Sequence, residues 1–324
     1  MDYYNFESFD ITQIVNEYKG KKLEELFPNQ RIIKNNMGEF MELVWEVEDF
    51  PCDLNLLVTK KNLLRNLKTV HYIGEIIEMR LTRRGVKNLY DLRPIKKYRD
   101  SVNEILNLIK KRDYKNLINI KNIHDIDVSF CFELENLLFL DIETLGIFDD
   151  PMISIGVGFF KNRKYEIHVY FARDLEEEIS ICEHFRNEIL PYFKCFVTYN
   201  GKTFDIPYVA NRFLYFFEEN PMISENGSLH EKFNIKYHHI DLYHQCRRIF
   251  RDKFQDFSLK TVEAELLNWK RINDLPSHLV GFCYREYKKN PERYIGLIKN
   301  IVEHNYYDIF SLPLIFKKLL ENIA

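Results

Sequence analysis

Residues 139–150 read "FLDIETLGIFDD". Phe139, Leu140 and Ile142 have the character of a buried strand, and Asp141 and Glu143 interrupt it. Side chains along a strand alternate between faces, so the two acids point the same way. Two like charges beside a core are costly unless something pairs with them. The plain alternative is a strand end that reaches solvent, where acids are harmless.

Strand patterns continue outward from this stretch in "LLFLDI", "MISIGVGFF" and "KYEIHVYFA". A helix is expected over "DLEEEISICEHFRNEILPYF", with acids in its first turn as the helix dipole favours. Then come a strand "CFVTYN", a helix from about residue 204, a short strand "YHHI" and helices to the end. This order predicts an α/β domain, a mixed sheet with flanking helices. Upstream, residues 31–48 suggest two strands around an "NNMG" turn. Residues 60–113 look helical, and 60–99 hold 12 Lys or Arg against 3 Asp or Glu. Residues 114–136 form a weakly patterned connector. The expected division is an N-terminal α+β region over 1–128 and a second domain over 129–324.

The 324 residues suffice for a sizeable core and two domains. At 46% hydrophobic and 29% charged, the composition is that of an ordinary soluble globular protein. Net charge is −3, so any affinity for nucleic acid must come from local basic patches. No apolar run approaches the ~20 residues of a membrane span, and the acidic, aromatic start "MDYYNFESFD" is unlike a signal peptide. The six cysteines, Cys52, Cys131, Cys182, Cys195, Cys246 and Cys283, are scattered without a CxxC pair. That suits reduced thiols in a cytoplasm, where the sequon "NGS" at 226–228 would have no meaning.

Two further stretches carry acids of interest. In "TYNGKTFDIPYVANRF", 198–213, a strand ends at Asn200, Gly201 permits a turn and a helix begins near Asp205. Asp205 can cap that helix, and capping does not exclude another role. In "IVEHNYYDIFSL", 301–312, the stripe Leu297, Ile301, His304, Asp308, Leu312, Ile315 advances in steps of three and four along one helix face. His304 and Asp308 thus stand where a core wants leucine; a satisfied buried pair is the bland explanation. Asp141, Glu143, Asp205 and Asp308 lie in elements that can converge on one sheet edge. Crowded carboxylates share hard cations, and oxygen ligands suit Mg²⁺ and Mn²⁺. Two such ions about 3.5–4 Å apart serve phosphodiester cleavage.

At these residues the chain resembles the ribonuclease H-like superfamily in its DEDD 3′–5′ exonuclease branch. "FLDIETLG", "YNGKTFD" and "HNYYD" resemble its three motifs in order. "HIDLYHQCRRIF", "FSLKTVEAELL" and "DLPSHLVGFCYREY" resemble the YprB-like predicted exonucleases. The similarity runs from about 137 to 318. It implies a ribonuclease H-like mixed sheet and a hydrolase cleaving single-stranded DNA or RNA with two Mg²⁺ or Mn²⁺ ions. Asp141, Glu143 and Asp308 would hold one ion, Asp141 would be shared with the second, and Asp205 would act directly or through water. His304 would orient or deprotonate the attacking water. One departure stands out: the family places Tyr four, or His five, residues before the last Asp, whereas His304 stands four before Asp308. Thr144 and Leu145 would lie against the terminal nucleotide, and Asn200 and Phe204 belong to the second motif. Lys202, in the loop beside Asp205, could meet a phosphate or be a plain surface lysine. A non-catalytic nucleic-acid-binding module of the same fold is the other reading. "YIGEIIEMRLTRRGVKNLYDL", 72–92, looks like a degenerate helix-hairpin-helix, whose Arg83, Arg84 and Lys87 suit phosphate contact or else form a solvated basic face.

The histidines of "HHIDLYHQC" fit no standard zinc spacing, and Asp241 there is expected to cap the next helix.

Overall fold

The computed structural model describes residues 11–51, 53–222 and 236–323. The opening decapeptide, Cys52 and the sequon at 226–228 lie outside them. Met1–Pro51 with Leu137–Ile315 form one compact unit, and Cys52–Asn136 with Phe316–Ala324 form another.

Among the described residues of the first unit, seven strands make one mixed sheet: β1 (Gln30–Asn35), β2 (Gly38–Val47), β3 (Leu137–Thr144), β4 (Met152–Lys161), β5 (Lys164–Phe171), β6 (Cys195–Thr198) and β7 (His238–Asp241). Their order is β1-β2-β5-β4-β3-β6-β7. The pairs β1–β2, β2–β5, β5–β4 and β4–β3 are antiparallel, while β3–β6 and β6–β7 are parallel. The expected mixed sheet is therefore present. The division at residue 128 does not coincide with the compact units. The hairpin β1–β2 extends this sheet, pairing Met41–Val47 antiparallel to Phe171–Tyr165. The physical reason is non-local pairing: strand partners more than a hundred residues apart leave no local trace in the sequence.

One face of the sheet packs Leu138, Leu140, Ile142, Ile155 and Val157 against Ile181, Phe185, Val209 and Phe213 of the helices that follow. The opposite face of β4 carries small residues at Ser154, Gly156 and Gly158, which lets the helix Pro291–Ile323 approach closely. A Cβ on Gly156 would sit 2.6 Å from Asn305 Oδ1, and one on Gly158 would sit 2.0 Å from the Tyr165 hydroxyl. That hydroxyl donates to Ile309 O (2.9 Å). Ile309 O is the carbonyl that Pro313, four residues on and inside the helix, cannot serve because it has no N–H. The Tyr165 bond thus seats the helix that carries His304 and Asp308. Ile298, Ile301 and Val302 of that helix join a second core with Met41, Leu43, Ile153 and Val169.

The second unit has its own core, including Leu63, Ile73, Leu81, Leu89, Val102 and Ile105. Its basic stretch forms the helices Leu57–Arg65, Glu75–Arg83, Leu89–Leu92 and Arg99–Lys111. Asn88 caps the third through Tyr90 N and Asp91 N. The region read as a connector also folds, with Val128 and Phe130 in this core. The five described cysteines are not joined in disulfides with one another, and four of them are buried. Among the described residues, no helix is long and apolar enough to cross a membrane.

Candidate metal centre

β3 carries Asp141 and Glu143 on the face opposite Leu140 and Ile142, as strand alternation requires. At β3's end the chain turns under three constraints. Thr144 Oγ1 donates to Gly146 O (2.6 Å), Leu145 N donates to Pro151 O (2.9 Å), and the Tyr208 hydroxyl donates to Asp150 O (2.6 Å). Leu145 is partly buried against the second core, and its carbonyl accepts from Arg285 (3.2 Å).

Asp205 opens the helix Asp205–Phe217 and is buried, but its neighbours differ from those of a simple cap. Its Oδ1 accepts from Ile142 N (3.1 Å), which ties the helix start to the strand between the two acids. The turn before it depends on Asp241, wholly buried, which accepts from Asn200 N (2.9 Å), Lys202 N (3.0 Å) and Tyr243 N (3.1 Å). Asp241 therefore caps its helix as expected and holds the 200–202 turn as well. The left-handed residue there is Asn200 (φ 64°), not Gly201. Gly201 supplies room instead, since a Cβ would meet Thr198 Oγ1 at 2.4 Å. Lys202 is exposed and Phe204 half-buried against Tyr208.

The last helix presents His304, Asn305 and Asp308 to this face of β3. Asn305 Nδ2 donates to Asp141 Oδ2 (2.7 Å) and Ser154 Oγ donates to Asn305 Oδ1 (3.2 Å). His304 is buried, and its partner is not Asp308. Nδ1 donates to Asp274 Oδ1 (2.8 Å), while Nε2 lies 3.7 Å from Glu143 Oε1 and 3.9 Å from Asp308 Oδ2. Ser277 Oγ is 3.1 Å from the same Nε2. Asp308 Oδ1 pairs with Arg271 (2.5 Å), a guanidinium only 2% exposed that also binds Glu263 (2.5 Å) and Asp274 (3.4 Å). Lys260 completes the set at Asp274 Oδ2 (2.8 Å).

The charge state follows from this crowding. Burial, then the charges of Asp308, Asp205 and Glu143, hold Asp141 well above the usual carboxylate range; only the Asn305 bond opposes them. Burial pushes Glu143 up to about 8, with Asp308 and Asp205 adding to it and His304 opposing. Burial lifts Asp205 to about 7 against the pull of backbone N–H donors. Burial alone would lower His304, but Asp308, Glu143 and Asp274 outweigh it and raise the imidazole to about 9. Without an ion, burial thus favours the protonated forms of Asp141, Glu143 and Asp205, and the neighbouring carboxylates favour the protonated form of His304.

Glu143, His304 and Asp308 each offer a ligand atom, and the three atoms lie within 4.8 Å of one another. The sequence reading grouped Asp141 with Glu143 and Asp308; here Asp141 Oδ2 is engaged by Asn305. No hydrogen bond reaches the buried Glu143 carboxylate from any described residue. A hard divalent cation fits this donor set of carboxylate oxygens, in which one oxygen of Asp308 is already anchored by Arg271. Asp274, Arg271, Glu263 and Asn305 escaped the sequence reading. Asn305 was visible as the "HN" of "HNYYD", and the buried-acid pairing of Arg271 had no local signal. Arg83, Arg84 and Lys87 are exposed on the second unit.

Two comparisons bear on this geometry. The chain is 31% identical over 188 residues to the uncharacterized protein YprB of Bacillus subtilis (strain 168), a match covering 56% of this chain and 41% of that protein. It therefore spans less than half the length of that relative. A family model described as RNase_H superfamily matches residues 138–320, a range holding all of β3 to β7 but the first residue of β3, together with Asp141, Glu143, Asp205, His304 and Asp308. With its mixed sheet, its carboxylates gathered on one face of β3 and that match over more than half its length, the chain belongs to the RNase_H superfamily.

Proposed function

We propose that this chain is a metal-dependent nuclease hydrolysing phosphodiester bonds of single-stranded DNA or RNA from the 3′ end. The observation that carries the reading is the convergence of Asp141, Glu143, Asp205 and Asp308 from three separate elements, with three of them pushed toward their protonated forms. Buried acids crowded together and held toward neutrality in this way suit a site where bound cations supply the missing compensation. Two Mg²⁺ or Mn²⁺ ions, when bound, would supply a nucleophilic water at neutral pH and positive charge at the leaving oxygen.

The chain's own residues would do the rest. Asp141, Glu143, Asp205 and Asp308 hold the ions. Asn305 and Arg271 each fix one oxygen of a ligand carboxylate, Asp141 and Asp308 respectively, leaving the other for binding. Thr144, the last residue of β3, and Leu145 beside it would lie against a terminal nucleotide. Asn200, Lys202 and Phe204 flank the Asp205 side. Arg83, Arg84 and Lys87 would contact phosphates from the second unit. The free thiols suit a reducing compartment such as the cytoplasm.

A non-catalytic nucleic-acid-binding module draws on one observation: Arg271 and a protonated His304 already neutralise part of the charge. End-labelled single-stranded DNA and RNA, incubated with the protein and Mn²⁺, separate the two. A ladder shortening from the 3′ end, lost in Asp141→Ala, is the expected result. Intact substrate under all ion conditions supports the binding module.

A further inference from the structure

We propose that His304 is a direct ligand of a divalent ion through Nε2, beside Glu143 and Asp308, and that Asp274 is the positioning residue that holds the imidazole for it. This rests on the ion-dependent reading above, and it replaces the role of proton acceptor for this histidine.

Three observations carry it. The first is distance. Metal–ligand bonds of about 2.0–2.2 Å set two ligand atoms of one ion at most about 4.4 Å apart. Nε2 stands 3.7 Å from Glu143 Oε1 and 3.9 Å from Asp308 Oδ2, within that reach, and the three residues offer ligand atoms all within 4.8 Å of one another, so a small closure sets them on one ion. The second is orientation. A carboxylate only accepts hydrogen bonds, so the Asp274 contact places a proton on Nδ1 and turns Nε2 toward Glu143 and Asp308. Metal-binding histidines usually donate their second ring N–H to a carboxylate or carbonyl in this way. Asp274 is itself fixed by Lys260 and Arg271, and the imidazole is 3% exposed, so the ring has little freedom. The third is the space left for an ion. Glu143 Oε1 faces His304 Nε2 at 3.7 Å, too long for a hydrogen bond, and Asp308 keeps Oδ2 clear because Arg271 takes Oδ1. Ser277 Oγ, 3.1 Å from Nε2, is the group an ion would displace, with any proton on Nε2 leaving to solvent.

A role as proton acceptor fits less well. A base must have its free nitrogen within hydrogen-bond reach of the attacking water, whereas Nε2 of His304 faces Ser277 Oγ and the carboxylates of Glu143 and Asp308. One nitrogen among oxygen ligands also shifts ion preference from Mg²⁺, which favours oxygen, toward first-row transition ions such as Mn²⁺.

The test uses the full chain and Mn²⁺ as probe, read by electron spin-echo modulation. Protein grown with ¹⁵N-histidine should change the nitrogen modulation of bound Mn²⁺ from a ¹⁴N to a ¹⁵N pattern; this arm needs no substitution. His304→Gln should still take up Mn²⁺, more weakly, and lose the modulation. Asp274→Asn should weaken Mn²⁺ binding about 10–100-fold, the usual effect of removing such a partner, and weaken Mg²⁺ binding less. Bound Mn²⁺ without histidine modulation overturns the inference and leaves the nuclease reading standing. Failure of the wild-type protein to bind Mn²⁺ at all overturns both.

Discussion

Arg271 is the residue on which the buried charges depend. Its guanidinium is held well above its already high ordinary value by Asp308, Glu263 and Asp274, against the opposing effect of burial. Arg271→Met would leave three acids without their common partner, and breaking a buried pair from one side costs about 3–5 kcal/mol. Denaturant unfolding of the ion-free protein should register a loss of that size, and a change under 1 kcal/mol would show that Lys260 and solvent take over its role. Asp141 makes the opposite case. Asp141→Asn removes one member of a repulsive set and keeps a carbonyl oxygen for Asn305. The ion-free variant should therefore melt a few degrees higher than the wild type, while its hydrolysis is abolished. Differential scanning calorimetry paired with the ladder assay checks both; wild-type cleavage by this variant would remove Asp141 from the ligand set.

At the scale of elements, the Pro291–Ile323 helix is seated by an exchange of donors. Pro313 leaves Ile309 O without its helical partner, and the Tyr165 hydroxyl supplies one from β5. Tyr165→Phe should cost about 1–3 kcal/mol, the usual loss for an unsatisfied buried acceptor. Pro313→Ala in the same chain should recover much of it by restoring the helix N–H. A double-mutant cycle measures the coupling, and strict additivity of the two changes would show that the hydroxyl bond does not serve that carbonyl. Gly158 belongs to the same device, since a Cβ there would overlap the tyrosine hydroxyl.

At the scale of the whole molecule, the site makes ion-free stability depend on pH. The folded values of Glu143 (about 8) and Asp205 (about 7) lie above the ordinary carboxylate value, and that of His304 (about 9) lies above the ordinary imidazole value. Groups raised in the folded state bind protons more tightly there than in the unfolded chain. Their contribution is complete below the unfolded values, about 4 for the acids and 6.5 for histidine, and is lost as pH climbs through the folded ones. Asp274, which is lowered, acts only below about pH 4. The ion-free protein should thus lose stability steadily from about pH 5 to 9, and Mn²⁺ should restore more at pH 8 than at pH 5.5. Thermal unfolding across that range, with and without Mn²⁺, is the measurement; a flat or rising curve without ion contradicts the charge assignment. The second unit makes a separate claim. Replacing Arg83, Arg84 and Lys87 with Ala should weaken substrate binding about equally for all sequences and flatten its salt dependence. An unchanged slope assigns these residues to a solvated face.

The sequence by itself determined what short-range pattern encodes. Alternation placed Asp141 and Glu143 on one side of β3, a three-and-four stripe placed His304 and Asp308 on one side of the last helix, and the order of strands and helices announced a mixed sheet. Only the tertiary structure decided what meets these residues. Asp274 lies 30 positions before His304, and Asn305 reaches Asp141 across 164 positions. Neither pairing leaves a periodic trace, because packing and hydrogen bonding act through space and not along the chain. The same holds for the β1–β2 hairpin, whose place beside β5 is set by a ladder spanning the residues of another unit. Chain order suggested a boundary near 128, but backbone donors and acceptors on β5 needed a partner strand, and the hairpin provides it.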